Sequence, residues 1–445
     1  MASEWLADWS ECSSVRCACS AMHSLEQLSR NTPIVKDEMS ARENLLTQHR
    51  AQFLALQGKH YFNYGGQGPM ADGAIAALTS AQRRMQADGP FASAVNDWLQ
   101  AEGHQTRAAI AATLGTIAET ITLTENVTAG CNIPMWGLPW QLGDHILIGD
   151  CEHPGIVATV NEISRRYGVE VSTCALSEML QGADPVALIQ QALRPNTRLV
   201  VISHILWNTG QLLPLKEIVE VCHRNASTTR VLVDAAQSAG SLPLDQPGWT
   251  LPETEVDYYA FTGHKWLCGP AGLGALYVRP EVRDETAPTF IGWRSINVDG
   301  GAQPTGWKSD GRRYEVATSN YALLPALRAA MAVQAEWGSS AQRYARICEL
   351  SKQLWEGLRS LPTVKCLLQD APPPSGLVSF QIVDGQGNPA FALHSQLVVK
   401  LETQRTYLRT LQSPNCVRAC VHYLSTESEV DALIEQIAKT VDLLR

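Results

Sequence analysis

The sequence predicts an α/β architecture, a mostly parallel sheet covered by helices, with a smaller α+β domain after it. Three observations point there: short apolar runs recur without polar alternation, helical patterns separate them, and several runs end in polar clusters. Strands buried on both faces read as continuous apolar runs, because helices cover each side of a parallel sheet. Ligands in such sheets bind beyond the carboxyl ends of the strands, so the polar strand ends matter most.

The elements follow in order. HILIGD (145–150) predicts a strand, with a helix after Pro154; RLVVISH (198–204) predicts the next, with a helix from Pro214. RVLVDAAQ (230–237), VDYYAFTGHK (256–265) and GLGALYV (272–278) complete the series. A looser stretch rich in Gly, Pro and Trp runs from about 288 to 315, and long helical patterns cover 320–337 and 339–360. Beyond them come strands near 363–368, 376–382, 406–409 and 416–421 and helices near 391–404 and 426–443. The chain therefore divides into an extension at 1–50, a large domain at 51–320, and a C-terminal region at 321–445 holding the long helices and the small domain.

Composition supports a large core. Of 445 residues, 45% are apolar and 18% charged, which excludes a disordered chain, a fibrous repeat or a disulfide scaffold. A formal charge of -9 has the wrong sign for nonspecific nucleic-acid binding. No run approaches the roughly 18 apolar residues of a membrane span. The first 45 residues hold no stretch apolar enough for a signal peptide, and Glu4, Asp8 and Glu11 argue against a transit peptide. The extension is expected to be flexible. Twelve scattered cysteines then read as reduced thiols in a cytoplasm. Cys17 and Cys19 form a CxC with no second Cys or His pair nearby, so no metal site is expected.

Four segments could carry chemistry. In FTGHKWLCGPAG, Lys265 sits just past a strand containing Tyr258, Tyr259 and Phe261. A lysine near apolar walls is costly to keep charged, so its amine becomes a nucleophile able to form a Schiff base with an aldehyde cofactor. The alternative is a surface lysine in a loop. In DAAQSAG, Asp234 ends a strand about thirty residues upstream, where it could pair with a protonated pyridine nitrogen while Gln237 reaches a ring hydroxyl. Asp234 could equally be a helix N-cap. In TENVTAGCN, Thr128, Ala129 and Gly130 near a helix start would offer backbone N–H groups and a hydroxyl to a phosphate, though any helix cap looks similar. In CEHPG, His153 could lie against an aromatic ring or cap the next helix.

Together these segments resemble pyridoxal-phosphate (PLP) enzymes of fold type I, specifically the class V aminotransferase family, and within it the cyst(e)ine C–S lyases. The resemblance runs from about Tyr61 to the C-terminus through YFNYGGQG (61–68), DCEHPG (150–155), SHILWNTGQ (203–211), VDAAQSAGSLPLD (233–245), DYYAFTGHKW (257–266), GWRSI (292–296), EVATSNY (315–321) and YLRT…CVRACVHY (407–423). It implies a seven-stranded, mostly parallel sheet. It implies that Lys265 holds the cofactor and acts as base at the substrate Cα, that His153 stacks on the ring, and that Asp234 keeps the ring nitrogen protonated. Gln237 would bond the ring hydroxyl, and Asn208 would lie near cofactor and substrate. Thr128, Ala129, Thr262 and His264 would hold the phosphate, and Thr318 would reach the phosphate of a neighbouring subunit in a homodimer. Substrate would meet Gly65, Gly66, Asn208, Trp293, Arg409 and Arg418. The Arg418 guanidinium fork matches an α-carboxylate, and Arg409 suits the distal carboxylate of a disulfide substrate.

The related desulfurases carry a nucleophilic cysteine on a long loop ahead of the substrate arginine. Here only eight residues separate Arg409 from Arg418, and Cys416 reads as a buried neutral thiol. The expected reaction is therefore α,β-elimination of cystine or cysteine to pyruvate, ammonia and persulfide or sulfide, with iron–sulfur cluster assembly or other sulfur acceptors downstream. The alternatives are another class V activity (aminotransferase, cysteine desulfurase or isopenicillin N epimerase-like) or a protein that merely binds cofactor.

Overall fold

The computed structural model describes residues 44–445. Residues 44–50 are helical, and Gln52–Arg445 forms a separate compact unit. Most of the predicted extension, Cys17 and Cys19 included, lies outside the described residues.

After a two-residue strand β1 (His60–Tyr61), the second unit is centred on seven strands: β2 (Ile121–Thr124), β3 (His145–Gly149), β4 (Glu170–Cys174), β5 (Thr197–Ser203), β6 (Arg230–Asp234), β7 (Tyr258–Thr262) and β8 (Gly274–Val278). Their spatial order is β2-β8-β7-β6-β5-β3-β4. The five strands from β4 to β7 run parallel, and β8 and β2 close one side antiparallel. The strands predicted from uninterrupted apolar runs are all there. The two that escaped notice, β2 and β4, sit at the sheet's edges. Edge strand β4, EVSTC, exposes Glu170 and only half-buries its middle, so its composition carries no continuous apolar signal.

Two helices come before β2, α1 (Asp72–Ala87) and α2 (Ser93–Thr113), and crossover helices follow: α3 (Val127–Gly137), α4 (Pro154–Tyr167), α5 (Pro185–Ala192) and α6 (Leu215–Asn225). In α6 the buried set Leu215, Ile218, Val219 and Cys222 has i, i+3, i+4, i+7 spacing, which puts one apolar stripe against the sheet. Helix α4 has proline in its first turn, where no hydrogen bond is lost, and ends at Gly168 in the left-handed conformation (φ 67°). A short hairpin, β9 (Ile296–Val298) with β10 (Pro304–Trp307), interrupts the looser stretch.

The C-terminal residues build an antiparallel sheet ordered β11 (Val364–Cys366), β12 (Leu377–Ile382), β15 (Asn415–Cys420), β14 (Arg409–Gln412). Phe62, Leu350, Leu354, Phe380, Leu397, Val417, Leu433 and Ile437 pack in its own core cluster. Strand β1 pairs in parallel with β13 (Thr406–Tyr407), and Asn63 bridges to Cys420. The 61–68 segment is thereby carried against the small sheet.

One buried ion pair ties several of these pieces together. The Glu315 carboxylate accepts from Arg107 Nε at 3.0 Å and Nη2 at 2.6 Å, and from the Leu123 amide at 3.1 Å. Arg294 approaches its other side at 3.4 Å. Removing one partner leaves a buried charge uncompensated, which costs about 3–5 kcal/mol. Glu315→Ala is therefore expected to lower the unfolding free energy by about that amount in a denaturant titration of the full chain; an unchanged midpoint would contradict the role given to the pair.

Candidate active site

Parallel strands put their carboxyl ends on one edge, and four of them deliver the site. Ser203 at the end of β5 is in register with Asp234 at the end of β6, and Asp234 with Ala260 in β7. The segments that follow β3, β5, β6 and β7 carry His153, Trp207, Gln237 and Lys265. They surround a cavity of about 1430 Å³. That is ample room for a cofactor and an amino acid together, against the roughly 300–1,000 Å³ of common ligand sites.

The structure brings most of the expected residues onto this wall: Gly65, Thr128, Ala129, His153, Asp234, Gln237, Thr262, His264, Lys265, Arg409 and Arg418. Four others stand elsewhere. Gly66 is adjacent to the wall but not on it, and Asn208 is buried, with its Nδ2 donating to the Ser413 carbonyl at 3.0 Å. Trp293 and Thr318 are exposed and do not line the cavity.

Lys265 opens onto the cavity but is otherwise enclosed. Burial pulls its ammonium down to about 8, with Arg418 and Arg409 pushing the same way against the attraction of Asp234. The Asp234 carboxyl is itself raised by burial, although it accepts from the Ala236 amide at 2.9 Å. That contact makes a turn rather than the helix N-cap considered above, since the residues after Asp234 are not helical. A raised buried acid gains from any cation set against it.

Of the two readings of CEHPG, the structure shows the helix cap. His153 Nδ1 accepts from the Gly155 amide at 3.2 Å, capping α4, while its ring stays exposed on the cavity wall with burial lowering its pKa. At the start of α3, Asn126 is the N-cap, its Oδ1 accepting from Ala129 at 2.9 Å. The amides of Val127 and Thr128 remain at the helix's positive end, beside Thr262 and His264, which bond each other at 2.6 Å. This corner has the donors an anion needs.

Arg418 is almost completely buried, yet among the described residues its guanidinium makes one hydrogen bond, Nη1 to the Trp207 carbonyl at 2.7 Å. Nε and Nη2 have no partner among the described residues. In the neighbouring strand Arg409 lies directly opposite it in register. Two guanidiniums facing each other across a strand pair repel unless an anion joins them. A carboxylate-bearing ligand is the natural complement.

Several residues of the site escaped the sequence reading. Asn126 lay inside the quoted TENVTAGCN, and an Asn before a helical pattern is an N-cap signal. Glu152, next to His153, is buried and accepts from Ser203 N at 2.9 Å and Ser203 Oγ at 2.8 Å; burial and then Asp234 push it up to about 8. Nothing local distinguishes a buried acid from a surface one. Trp207 lines the cavity with its ring edge-on to His153 at 5.9 Å.

Comparisons agree with this geometry. Residues 92–433 match the aminotransferase class-V family model. The cystine C–S lyase C-DES, solved in complex with its reaction product cysteine persulfide, is 46% identical with a TM-score of 0.82, covering 87% of this chain and 99% of that one. A lysine-to-alanine mutant of C-DES, with glycine covalently linked to its PLP cofactor, matches with a TM-score of 0.83 at 46% identity, covering 87% of this chain and 98% of that one. Isopenicillin N epimerase of Streptomyces clavuligerus is 29% identical, over 84% of this chain and 93% of its own length. The cysteine desulfurase IscS of Shewanella woodyi is 29% identical, over 73% and 78%.

A PLP-dependent enzyme of fold type I is the class that fold and cavity define. The chain belongs to the class-V aminotransferase family. The residues present fit PLP: an amine of lowered pKa, a buried acid and an anion-binding helix start share one cavity. Apoenzyme mixed with PLP is expected to turn yellow at a rate that rises about tenfold per pH unit until the Lys265 amine is mostly neutral, levelling above about pH 8. Stopped-flow absorbance checks this; a rate that falls as pH rises would contradict the assignment of the amine.

Proposed function

We propose that the chain is a carbon–sulfur lyase acting by α,β-elimination on cystine or cysteine. The observation that carries this reading is a cavity wall on which none of the described residues is a cysteine. Strands β14 and β15 form a tight hairpin, Gln412 opposite Asn415, with only Ser413 and Pro414 in the turn. Asn208 holds that turn through the Ser413 carbonyl. Cys416 is buried in register with Leu411, and burial pushes its thiol up to about 12. Among the described residues, no cysteine lines the cavity. A route that passes sulfur to a protein nucleophile lacks its nucleophile there.

Bound PLP supplies an electron sink for negative charge at the substrate Cα. Lys265 would anchor the cofactor and, once displaced by substrate, take the Cα proton on its neutral amine. Asp234 would face the ring nitrogen and His153 the ring face. Gln237 would meet the ring oxygen; Thr128, Ala129, Thr262 and His264 would hold the phosphate. Arg418 would bind the α-carboxylate, fixing Cα against Lys265, and Arg409 the distal carboxylate of cystine. Gly65 would meet substrate from the cavity wall, with Gly66 just behind it, and Asn208 would act there by holding the hairpin. Thr318 and Trp293, exposed with Phe290 and Ile291, suit a homodimer in which they serve a second copy's site.

The proposed reaction balances with one water. Cystine and water give cysteine persulfide, pyruvate and ammonia; the Cβ–S bond breaks and its electron pair leaves on sulfur. Cysteine would give sulfide instead. Free persulfide or sulfide would then reach iron–sulfur cluster assembly or other sulfur acceptors. The nine described cysteines are all free, which suits a cytoplasmic setting. Among the described residues no helix is long and apolar enough to cross a membrane, and no His, Cys, Asp and Glu cluster could hold a metal.

With cystine, the enzyme should release pyruvate and persulfide in equal amounts and no alanine; alanine as the main product would refute elimination. Arg409→Ala should raise the KM for cystine about tenfold, the worth of one modest charged contact, while leaving that for cysteine nearly unchanged. An equal rise for both would move Arg409 to the α-carboxylate.

A further inference from the structure

Trp266 follows Lys265 directly, is fully buried, and does not line the cavity. An indole N–H donates and never accepts. The atom it faces, at 2.8 Å, is Gln237 Oε1. Only an oxygen can occupy that place, so the amide has one orientation: its nitrogen turns the other way and donates to the Gly65 carbonyl at 3.0 Å. The opposite flip would set N–H against N–H and carbonyl against carbonyl, losing both bonds. Gln237 lines the cavity, and no described acceptor takes the second hydrogen of its amide nitrogen. What this residue can offer a ligand is therefore a donor.

Trp266 cannot easily swing away. Its carbonyl accepts from Gln334 Nε2 at 2.9 Å and from His422 Nε2 at 3.2 Å. Its ring lies 5.8 Å from that of His422 and occupies space opened by Gly376, where a Cβ would come within 2.6 Å of a ring carbon. At the other end of the relay, Gly65 packs so closely that a Cβ would lie 3.0 Å from Arg418 Nη2. One amide thus braces the turn behind the unpaired guanidinium.

We propose that Trp266 is a positioning residue: its indole N–H locks the Gln237 amide so that a donor, never an acceptor, faces the cofactor, selecting the ionised ring oxygen at that point of the wall. This rests on the reading that Gln237 meets the ring oxygen. A donor there stabilises the ionised form, so losing it makes the bound cofactor's visible band titrate at higher pH.

The test uses the holoenzyme and its cofactor absorbance against pH, with the PLP dissociation constant measured on reconstituted apoenzyme. Trp266→Phe keeps an aromatic ring and drops the N–H. The titration midpoint should rise by about one unit and the dissociation constant about tenfold, each equivalent to about 1.4 kcal/mol. Gln237→Leu should do the same, and the double variant should go no further than either single one. A Trp266→Phe midpoint equal to wild type, or effects that add fully on those of Gln237→Leu, would overturn the proposal. If Trp266→Phe does not fold, Gln237→Glu keeps an acceptor for the indole while removing the donor; its midpoint should also rise, and an unmoved midpoint counts against the relay. Pyruvate formation from cystine is scored separately on wild type. Loss of the lyase reading would therefore show there, and loss of the Trp266 relay in the titration.

Discussion

A lysine amine and an aspartate carboxyl enclosed by the same wall set the terms for everything around them. Neither can hold its charge at ordinary cost: burial lowers the one and raises the other. The sheet makes the juxtaposition possible, because Asp234 ends β6 and Lys265 follows the end of its hydrogen-bonded neighbour β7. Strands buried on both faces hold those two ends rigidly, so the chemistry sits on the stiffest part of the fold. Around the pair, the helix start at Asn126 and the guanidinium of Arg418 supply positive ends for a ligand that carries anions at both extremities.

Much of this arrangement was legible before any coordinates. Continuous apolar runs marked β3, β5, β6, β7 and β8, because a buried parallel strand has no wet face to interrupt its composition. Edge strands escaped for the converse reason: half of β4 faces outward, and its letters look like those of a loop. Lys265, Asp234 and His153 stand on the cavity wall at or just past strand ends, where the sequence put them, while Arg418, inside β15, was singled out by the resemblance and its alternation with apolar neighbours. Glu152, Trp207 and Trp266 were not singled out, since their importance lies in contacts across 50 or so residues or across domains, as in the Ser203 bonds to Glu152. Spacing along a chain does not reveal what lies behind a wall.

Asn208 shows how position and orientation can part company. Its segment was expected beside the cofactor, and the neighbouring Trp207 does face the cavity. The Asn208 side-chain amide instead donates to the Ser413 carbonyl, and the Asn208 backbone carbonyl accepts from Ser379 Oγ at 2.7 Å. The loop can make this approach because Gly210 takes a left-handed conformation (φ 82°) where a Cβ would strike the Leu377 carbonyl. Large-domain loop and small-domain sheet are stitched together by the two ends of Asn208 and by the Arg418 bond to the Trp207 carbonyl.

The stitched hairpin also bears on traffic. With its tip held and no described cysteine lining the chamber, a sulfur species freed there by the proposed elimination would find no thiol courier on the described wall. It would depart as a dissolved molecule, diluted at once, its destination decided by whichever thiol or metal it met first. An enzyme working in this way would govern how fast labile sulfur appears in its surroundings and leave the choice of recipient to encounter.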